Sequence, residues 1–398
     1  MASSGVSSRV GSIDVIRGAV MVLMAIDHVR VFSGVPSGGP TPGIFFTRWV
    51  THFCAPAFFF LAGTSAFLYD LHHADLRRFL LARGLWLVLL ELTVIRFAWT
   101  FNVDYPHYAL AGVIWALGWC MVLMSLFVRL PVPAVGWIGL GIVFGHNLLD
   151  YLPGLTSALA QGPFAGLWKV LYLGFFQGPI VLSSVGPRVV VLYSIVPWVG
   201  VMAVGYAFGT IVTAELPRRR RWSLAIGLGA IAIFAILRGF NLYGNPTPWR
   251  IPPAGSGTAR AMLGLFSFLS PAKYPASLDF LLMTLGPTIA VMPMLDRARG
   301  VVARTLSLFG RVPLFFYLVH IPLIHLLAIG VSVARSGHVN PWLFANHPMG
   351  NPDPPDGYAW SLMLLYLVWA IAVAILYVAC SWFAGVKARR GGGWLRYV

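Results

Sequence analysis

The chain has 398 residues, 58% of them hydrophobic and 14% aromatic, with only 10% charged and a mean hydropathy of +0.79. Soluble domains carry roughly 25% charged residues, so this composition excludes a soluble enzyme, and its apolar character excludes disorder. It predicts an all-α, polytopic integral membrane protein of about ten transmembrane helices, and the spacing of its +16 net charge speaks against a nucleic-acid partner.

Met1–Val10 is short and polar. The first apolar run, Ile13–Phe32, contains Asp27 and His28, which the core of a cleavable leader would not, so it is expected to be an uncleaved first helix. Further spans are expected at Ile44–Tyr69, Phe79–Thr100, Tyr108–Arg129, Val132–Asp150 and Val189–Thr213. The last four are Trp222–Asn241, Ser277–Leu295, Leu306–Val333 and Tyr358–Val386. Together they make one transmembrane domain over residues 1–398. Leu167–Ser183, interrupted by Gly174, Gly178 and Pro179, is expected to be re-entrant or interfacial. If both termini are cytoplasmic, the cytoplasmic segments hold 16 of the 28 lysines and arginines, among them Arg9, Arg218–Arg221, Arg390 and Arg396. That asymmetry sets the expected orientation, with both termini cytoplasmic. The long loops Gly244–Gly257 and Ser336–Asp356 then lie outside. Cys54, Cys120 and Cys380 each sit in an apolar run. They suggest neither a disulfide framework nor a metal site.

Charged side chains in hydrocarbon are costly, so those inside spans are functional candidates. On the first helix Asp14, Arg17, Met21, Met24 and His28 form one stripe at helical spacing. Asp27 and Arg30 make an i,i+3 pair near its outer end. The second span carries Arg48 and His52 on one face, and Pro56 removes the partner of the His52 carbonyl, so a kink is expected there. The fifth ends in His146 and Asp150. Arg96, Arg238 and Asn241 lie at similar depth, Lys273 and Tyr274 follow in an outer loop, and the ninth span brings Tyr317 and His320. The outer-end residues of the first, second, third, fifth and seventh spans are expected to line a shared polar cavity in the outer half of the bilayer, while Asp14 and Arg17 read as an ion pair at the cytoplasmic end and Tyr317 and His320, at mid-membrane, as either interhelical hydrogen bonds or catalytic or pore-lining groups. Tryptophans such as Trp49, Trp99 and Trp342 are read as an interfacial belt. No Walker loop, zinc helix or nucleophile elbow occurs.

Ser12-Ile13-Asp14-Val15-Ile16-Arg17-Gly18, with Met21, Met24, Asp27, His28 and Arg30 after it, resembles the start of the transmembrane acyltransferases related to heparan-alpha-glucosaminide N-acetyltransferase. Phe53-Cys54-Ala55-Pro56-Ala57-Phe58-Phe59-Phe60-Leu61-Ala62-Gly63 is similar to that group's second-helix signature. A bacterial subgroup resembles the chain over nearly its whole length, through Thr47-Arg48-Trp49, Gly145-His146-Asn147, Lys273-Tyr274-Pro275 and Gly310-Arg311-Val312-Pro313. The resemblance implies transfer of an acetyl group from cytoplasmic acetyl-CoA, without a metal, to a sugar or other hydroxyl or amine acceptor outside. It also implies a histidine near the thioester. In the eukaryotic enzyme that histidine follows the first helix, in an outer loop. Here Ser33–Gly43 has none, so His28 and His52 are chosen by depth. The catalytic candidates are His28, Asp27, His52, His146 and Asp150, with Asp27 or Asp150 orienting the imidazole. Arg30, Arg48, Arg96, Arg238, Asn241, Lys273, Tyr274, Tyr317 and His320 are the substrate-binding ones. The expected partners are membrane lipid and a glycan or small-molecule acceptor, with a homo-oligomer left open. The alternative is a proton-coupled small-molecule transporter, in which Glu91 would relay protons.

Overall fold

A computed structural model describes residues 11–39, 41–253, 257–347 and 353–389. Arg9, Arg390 and Arg396 of the expected orientation signal lie outside these residues, as do 254–256 and 348–352 of the two long loops. The protein is helical, with a rod at each of the ten predicted runs. Among the described residues, seven helices are long and apolar enough to cross a membrane by length and composition. The other three predicted spans depart from that pattern for visible reasons. The first carries Asp14, Arg17, Asp27 and Arg30; the third carries Arg83, Glu91 and Arg96; the helix of the fourth is only 15 residues long.

The first span is α1 (Gly11–Ser33). The second starts as α2 (Pro42–Trp49), with proline in its first turn and Thr41 Oγ1 accepting from the Ile44 amide. A 3-10 turn, Val50–Phe53, joins it to α3 (Cys54–Asp70), so the break expected around His52 is a tightened turn just before Pro56. The third span is α4 (Leu76–Leu90), a π turn at Glu91–Ile95 and α5 (Arg96–Thr100).

The run from Tyr108 is not helical at its start. Ala109–Ala111 is strand β1, and α6 spans Val113–Phe127. After α7 (Val132–Gly145) and a 3-10 turn (His146–Tyr151) come α8 (Pro153–Gln161) and α9 (Ala165–Trp168). The expected re-entrant stretch is indeed irregular, a π turn (Lys169–Leu173) and a 3-10 turn (Gly174–Gln177) leading to β2 (Ile180–Val181). Strand β3 (Arg188–Val191) replaces the predicted start of the sixth helix. It pairs in parallel with β1, Ala109 opposite Val189, and antiparallel with β2. This pairing satisfies backbone groups that an irregular chain would leave open.

The remaining helices are α10 (Ile195–Val212), α11 (Leu216–Gly239), α12 (Gly257–Phe268), α13 (Leu278–Leu295), α14 (Val301–Arg311), α15 (Pro313–Ser336) and α16 (Leu362–Arg389). The ninth predicted run is thus two helices. Pro313 cannot donate a helical hydrogen bond and disfavours helix at Val312, whose φ of −128° and ψ of 51° break the rod.

Small residues let the rods touch. A Cβ on Gly310 would lie 2.0 Å from the Asp14 carbonyl oxygen, and one on Gly18 1.9 Å from that of Leu306. Helices α1 and α14 therefore meet backbone to backbone. At one end of the bundle Asp296 accepts from Ser12 Oγ (2.7 Å) and pairs with Arg219 (2.6 Å). That triad gathers the starts of α1 and α11 and the end of α13, as the alternation of spans requires. The site lies toward the opposite end.

Candidate active site

The C-terminal part of α1 faces a cavity of about 640 Å³. Asp27, His28 and Arg30 come from α1, Arg48 from α2, Glu91 from the π turn and Tyr317 from α15. Tyr193 and Tyr274 close it from the segments before α10 and α13. Asp27 is the hub of the charges. Its Oδ1 takes Arg30 Nε at 2.9 Å and its Oδ2 takes Arg48 Nη1 at 2.5 Å, tying α1 to α2. Arg30 Nη1 also donates to the Val35 carbonyl, and Arg48 Nη1 to Thr51 Oγ1. Both carboxylate oxygens being taken by guanidinium groups, Asp27 does not orient the imidazole, contrary to the expectation from sequence.

His320 does so instead. His28 Nδ1 lies 2.6 Å from His320 Nε2, and His320 Nδ1 lies 2.7 Å from the Tyr317 carbonyl oxygen and 3.1 Å from that of Phe316. Carbonyls only accept, so the His320 proton sits on Nδ1 and its Nε2 is the acceptor. His28 Nδ1 must then donate, which leaves the lone pair of a neutral His28 on Nε2. A fully buried side chain thereby fixes the tautomer of one that lines the cavity. The Trp99 ring meets His28 edge-on at 4.8 Å and limits its rotation.

Glu91 has a structural partner in the helix N-terminus. Its Oε2 accepts from the amides of Ile114 (3.0 Å) and Trp115 (3.3 Å), two donors that begin α6 without an intrahelical acceptor. Gly112 is required beside it, since a Cβ there would lie 2.4 Å from Glu91 Oε1.

Several candidates from the sequence have other tasks. His146 Nδ1 lies 3.0 Å from the Ile142 carbonyl oxygen and its Nε2 2.8 Å from that of Ala276; a neutral ring donates to one of the two, and both nitrogens face backbone and not the large cavity. Asp150 holds Asn147 Nδ2 and Tyr172 OH. Neither residue lines the large cavity, and Asp150 is not the orienting carboxylate. Arg96 is buried and donates to the carbonyls of Tyr108 (2.9 Å) and Asn102 (2.5 Å), bracing the turn after α5. Arg238 spends all three nitrogens on the carbonyls of Phe268, Thr247 and Ser267. Asn241 exchanges hydrogen bonds with the Trp249 backbone. These three brace loops around the cavity. His52 faces a separate compartment beside it.

Lys273 reaches a pocket of about 40 Å³ together with Asp27, His28 and Cys54. Its Nζ sits 5.3 Å from the Tyr274 ring centre and 6.0 Å from that of Tyr193. Burial, reinforced by the nearby Arg48 charge, holds this ammonium below its ordinary pKa. Sequence reasoning overlooked Tyr193, which it folded into a helix, and read Trp99 and Trp342 as belt residues although both line the cavity.

A fourth cavity, about 280 Å³, lies farther along α1 toward the Ser12–Asp296 end. Arg17, Ser65, Tyr69 and Arg83 give it a polar portion, and Met21, Leu87 and Met121 an apolar one. Arg17 Nη2 donates to Ser65 Oγ at 2.7 Å and Nη1 to the Gly310 carbonyl at 3.0 Å. The cavities abut. Tyr317 and Val113 line both this one and the large one, Phe58 and Val113 this one and the small one, and His28 the small one and the large one. The stripe Arg17, Met21, Met24, His28 is thus one wall of a series of spaces along α1.

The model of the catalytic region of heparan-alpha-glucosaminide N-acetyltransferase matches residues 9–239, more than half of the chain. The chain belongs to this family. No curated protein matches it. The matched part contains Asp27, His28, Arg48 and Glu91, whereas Tyr274, Tyr317 and His320 lie beyond it, so the family region supplies His28 and the rest of the chain its partner. Family membership and the seven apolar helices make this a multi-pass membrane protein of acetyltransferase type.

Proposed function

We propose that the protein transfers an acetyl group from cytoplasmic acetyl-CoA to a hydroxyl or amine acceptor at the extracytoplasmic face of a bacterial inner membrane, with His28 as the base. The observation that carries this reading is the succession of cavities along α1, with His28 on the wall where the small and outer ones meet. A donor with a long flexible arm suits the inner cavity. Arg17 and Arg83 supply positive charge at its polar portion, and the apolar lining from Met21 and Met121 fits an uncharged chain. These residues would hold acetyl-CoA with its thioester toward His28.

The chemistry then follows from the tautomer. His28 Nε2 takes the proton from the acceptor as its oxygen or nitrogen bonds to the acyl carbon. His320 Nε2 holds the Nδ1 proton of the resulting imidazolium, as an orienting acceptor does in other acyl transfers. The carbon–sulfur bond breaks, and His28 returns its proton to the departing sulfur. Asp27 keeps Arg30 and Arg48 fixed at the acceptor side, where their remaining N–H groups can meet acceptor oxygens. Membrane lipid and the acceptor are the partners this scheme requires.

The test is acetyl-CoA turnover by purified protein in nanodiscs with a panel of glycans and small acceptors. His28→Ala is expected to lower turnover by about 10²-fold or more. Unchanged turnover excludes His28 as the base. Acceptor uptake into proteoliposomes without coenzyme A would favour a carrier, in which Glu91 would titrate.

A further inference from the structure

The small pocket of about 40 Å³ adjoins both larger spaces. It shares Phe58 and Val113 with the cavity that Arg17 lines, and Asp27, His28 and Tyr193 with the large one. Most polar groups on its wall are already committed. Both Asp27 oxygens hold guanidinium groups, Thr51 Oγ1 donates to the Arg48 carbonyl at 2.7 Å, and Cys54 Sγ donates to the Val20 carbonyl at 3.1 Å. The Tyr193 hydroxyl is engaged by Tyr274. Two nitrogens remain without a hydrogen bond among the described residues, His28 Nε2 and Lys273 Nζ.

The turn that carries Lys273 is held firmly. Asn245 Oδ1 accepts from the Ala272 amide at 2.7 Å and from Ser277 Oγ at 3.1 Å. The Ala276 carbonyl meets His146 Nε2 at 2.8 Å, and Asn147 Oδ1 accepts from the Leu278 amide at 2.8 Å. Lys273 and Ala276 face each other across the turn as an antiparallel bridge. His146 and Asn147 thus brace the turn that delivers one lysine to the pocket. The delivery works against stability, because burial and the neighbouring Arg48 both disfavour the ammonium there. A cation fixed where it is unfavourable points to a role in function. Its charge is close enough to act on Asp27, His28, His52 and Cys54. The residue type fits as well. Of the 28 basic residues only Lys169, Lys273 and Lys387 are lysine, and an ammonium is a compact charge with three donors where a guanidinium is a planar fork.

We propose that Lys273 is a catalytic residue that binds the carbonyl oxygen of the thioester, with the acetyl group seated in the small pocket. The inference rests on the acyl-transfer reading. As the acceptor's oxygen or nitrogen bonds to the acyl carbon, the carbonyl π pair moves onto its oxygen, and Lys273 Nζ donates a hydrogen bond to that oxyanion while keeping its proton. The pair returns as the carbon–sulfur bond breaks, and His28 protonates the sulfur. Met24, Ala55 and Phe58 supply apolar surface for the methyl group. The base and the cation therefore reach one carbonyl from two elements, α1 and the turn before α13.

The test has two readouts on the full chain in nanodiscs. The first is the infrared stretch of acetyl-CoA labelled with carbon-13 at the acetyl carbonyl and bound to His28→Ala, which prevents turnover. A donor on the carbonyl oxygen weakens that bond, so the stretch is expected at a lower frequency in His28→Ala than in His28→Ala with Lys273→Met. The second is turnover by Lys273→Met alone, where kcat is expected to fall about 10²-fold or more with the acetyl-CoA KM within about threefold. That variant removes an unfavourable charge, so its thermal midpoint is expected to equal or exceed the parent's, which separates lost chemistry from lost folding. An unchanged stretch or an unchanged kcat in a chain that binds and consumes acetyl-CoA overturns the role of Lys273 and leaves acyl transfer standing. A chain that neither binds nor consumes acetyl-CoA rejects acyl transfer and this inference with it.

Discussion

His320 Nε2 stands 2.6 Å from His28 Nδ1, with His320 Nδ1 committed to backbone carbonyls of its own helix. One buried imidazole therefore dictates which nitrogen of another can act as a base. The relation predicts a split between two substitutions. His320→Gln keeps an amide oxygen able to accept from His28 Nδ1, and is expected to retain turnover to within about tenfold. His320→Leu removes the acceptor, and a loss of about 10²-fold in kcat is expected with little change in acetyl-CoA KM. Equal kcat for the two variants contradicts the relay.

Asp27 ties α1 to α2 through two guanidinium groups. Replacing it by asparagine leaves two buried cations without a counter-charge, at a cost on the order of 3 kcal/mol. Asp27→Asn is expected to lower the thermal midpoint, whereas the double change Asp27→Asn with Arg48→Gln recovers part of the loss. A midpoint unchanged in the single variant contradicts the hub.

The contact of α1 with α14 leaves no room at Gly310, where a Cβ would meet the Asp14 carbonyl at 2.0 Å. Gly310→Ala is expected to destabilise by about 1–3 kcal/mol through forced separation of the helices. Gly330, whose added Cβ would meet nothing within 4 Å, is the control, and Gly330→Ala is expected to be neutral or stabilising. Thermal unfolding in one detergent compares them.

Lys273 is held below its ordinary pKa by burial and by Arg48. Folding therefore disfavours its charged form. That penalty is full below the folded-state value and disappears as pH rises through the unfolded value of about 10.5. Lys273→Met is expected to raise the thermal midpoint at neutral pH, with an advantage that shrinks toward pH 10. An advantage that grows with pH has the wrong sign for this account.

Much of this was legible in the sequence because hydrocarbon is a demanding solvent. Long apolar runs marked helical rods even where charges interrupt them, as in the first and third, and the stripe Arg17, Met21, Met24, His28 marked the wall that lines the cavities. Side-chain partners were not legible. Asp27 and His28 are neighbours in sequence, which suggested a base and its orienter, but successive helical residues point in different directions. The actual orienter, His320, lies 292 positions away. Depth alone also grouped His146, Arg96 and Arg238 with the site, although backbone carbonyls satisfy each of them. The strands at Ala109–Ala111 and Arg188–Val191 were hidden because their apolar residues read equally well as helix.

The donor's reactive end is predicted to reach His28 through the cavity bounded by Arg17, Met21 and Tyr317. An electron-microscopy map of the protein with a non-hydrolysable acetyl-CoA analogue tests it most directly. The predicted result is density running from Arg17 past Met21, with the carbon replacing the thioester sulfur next to His28. An analogue bound with that carbon away from His28, or outside the inner cavity altogether, would contradict the account.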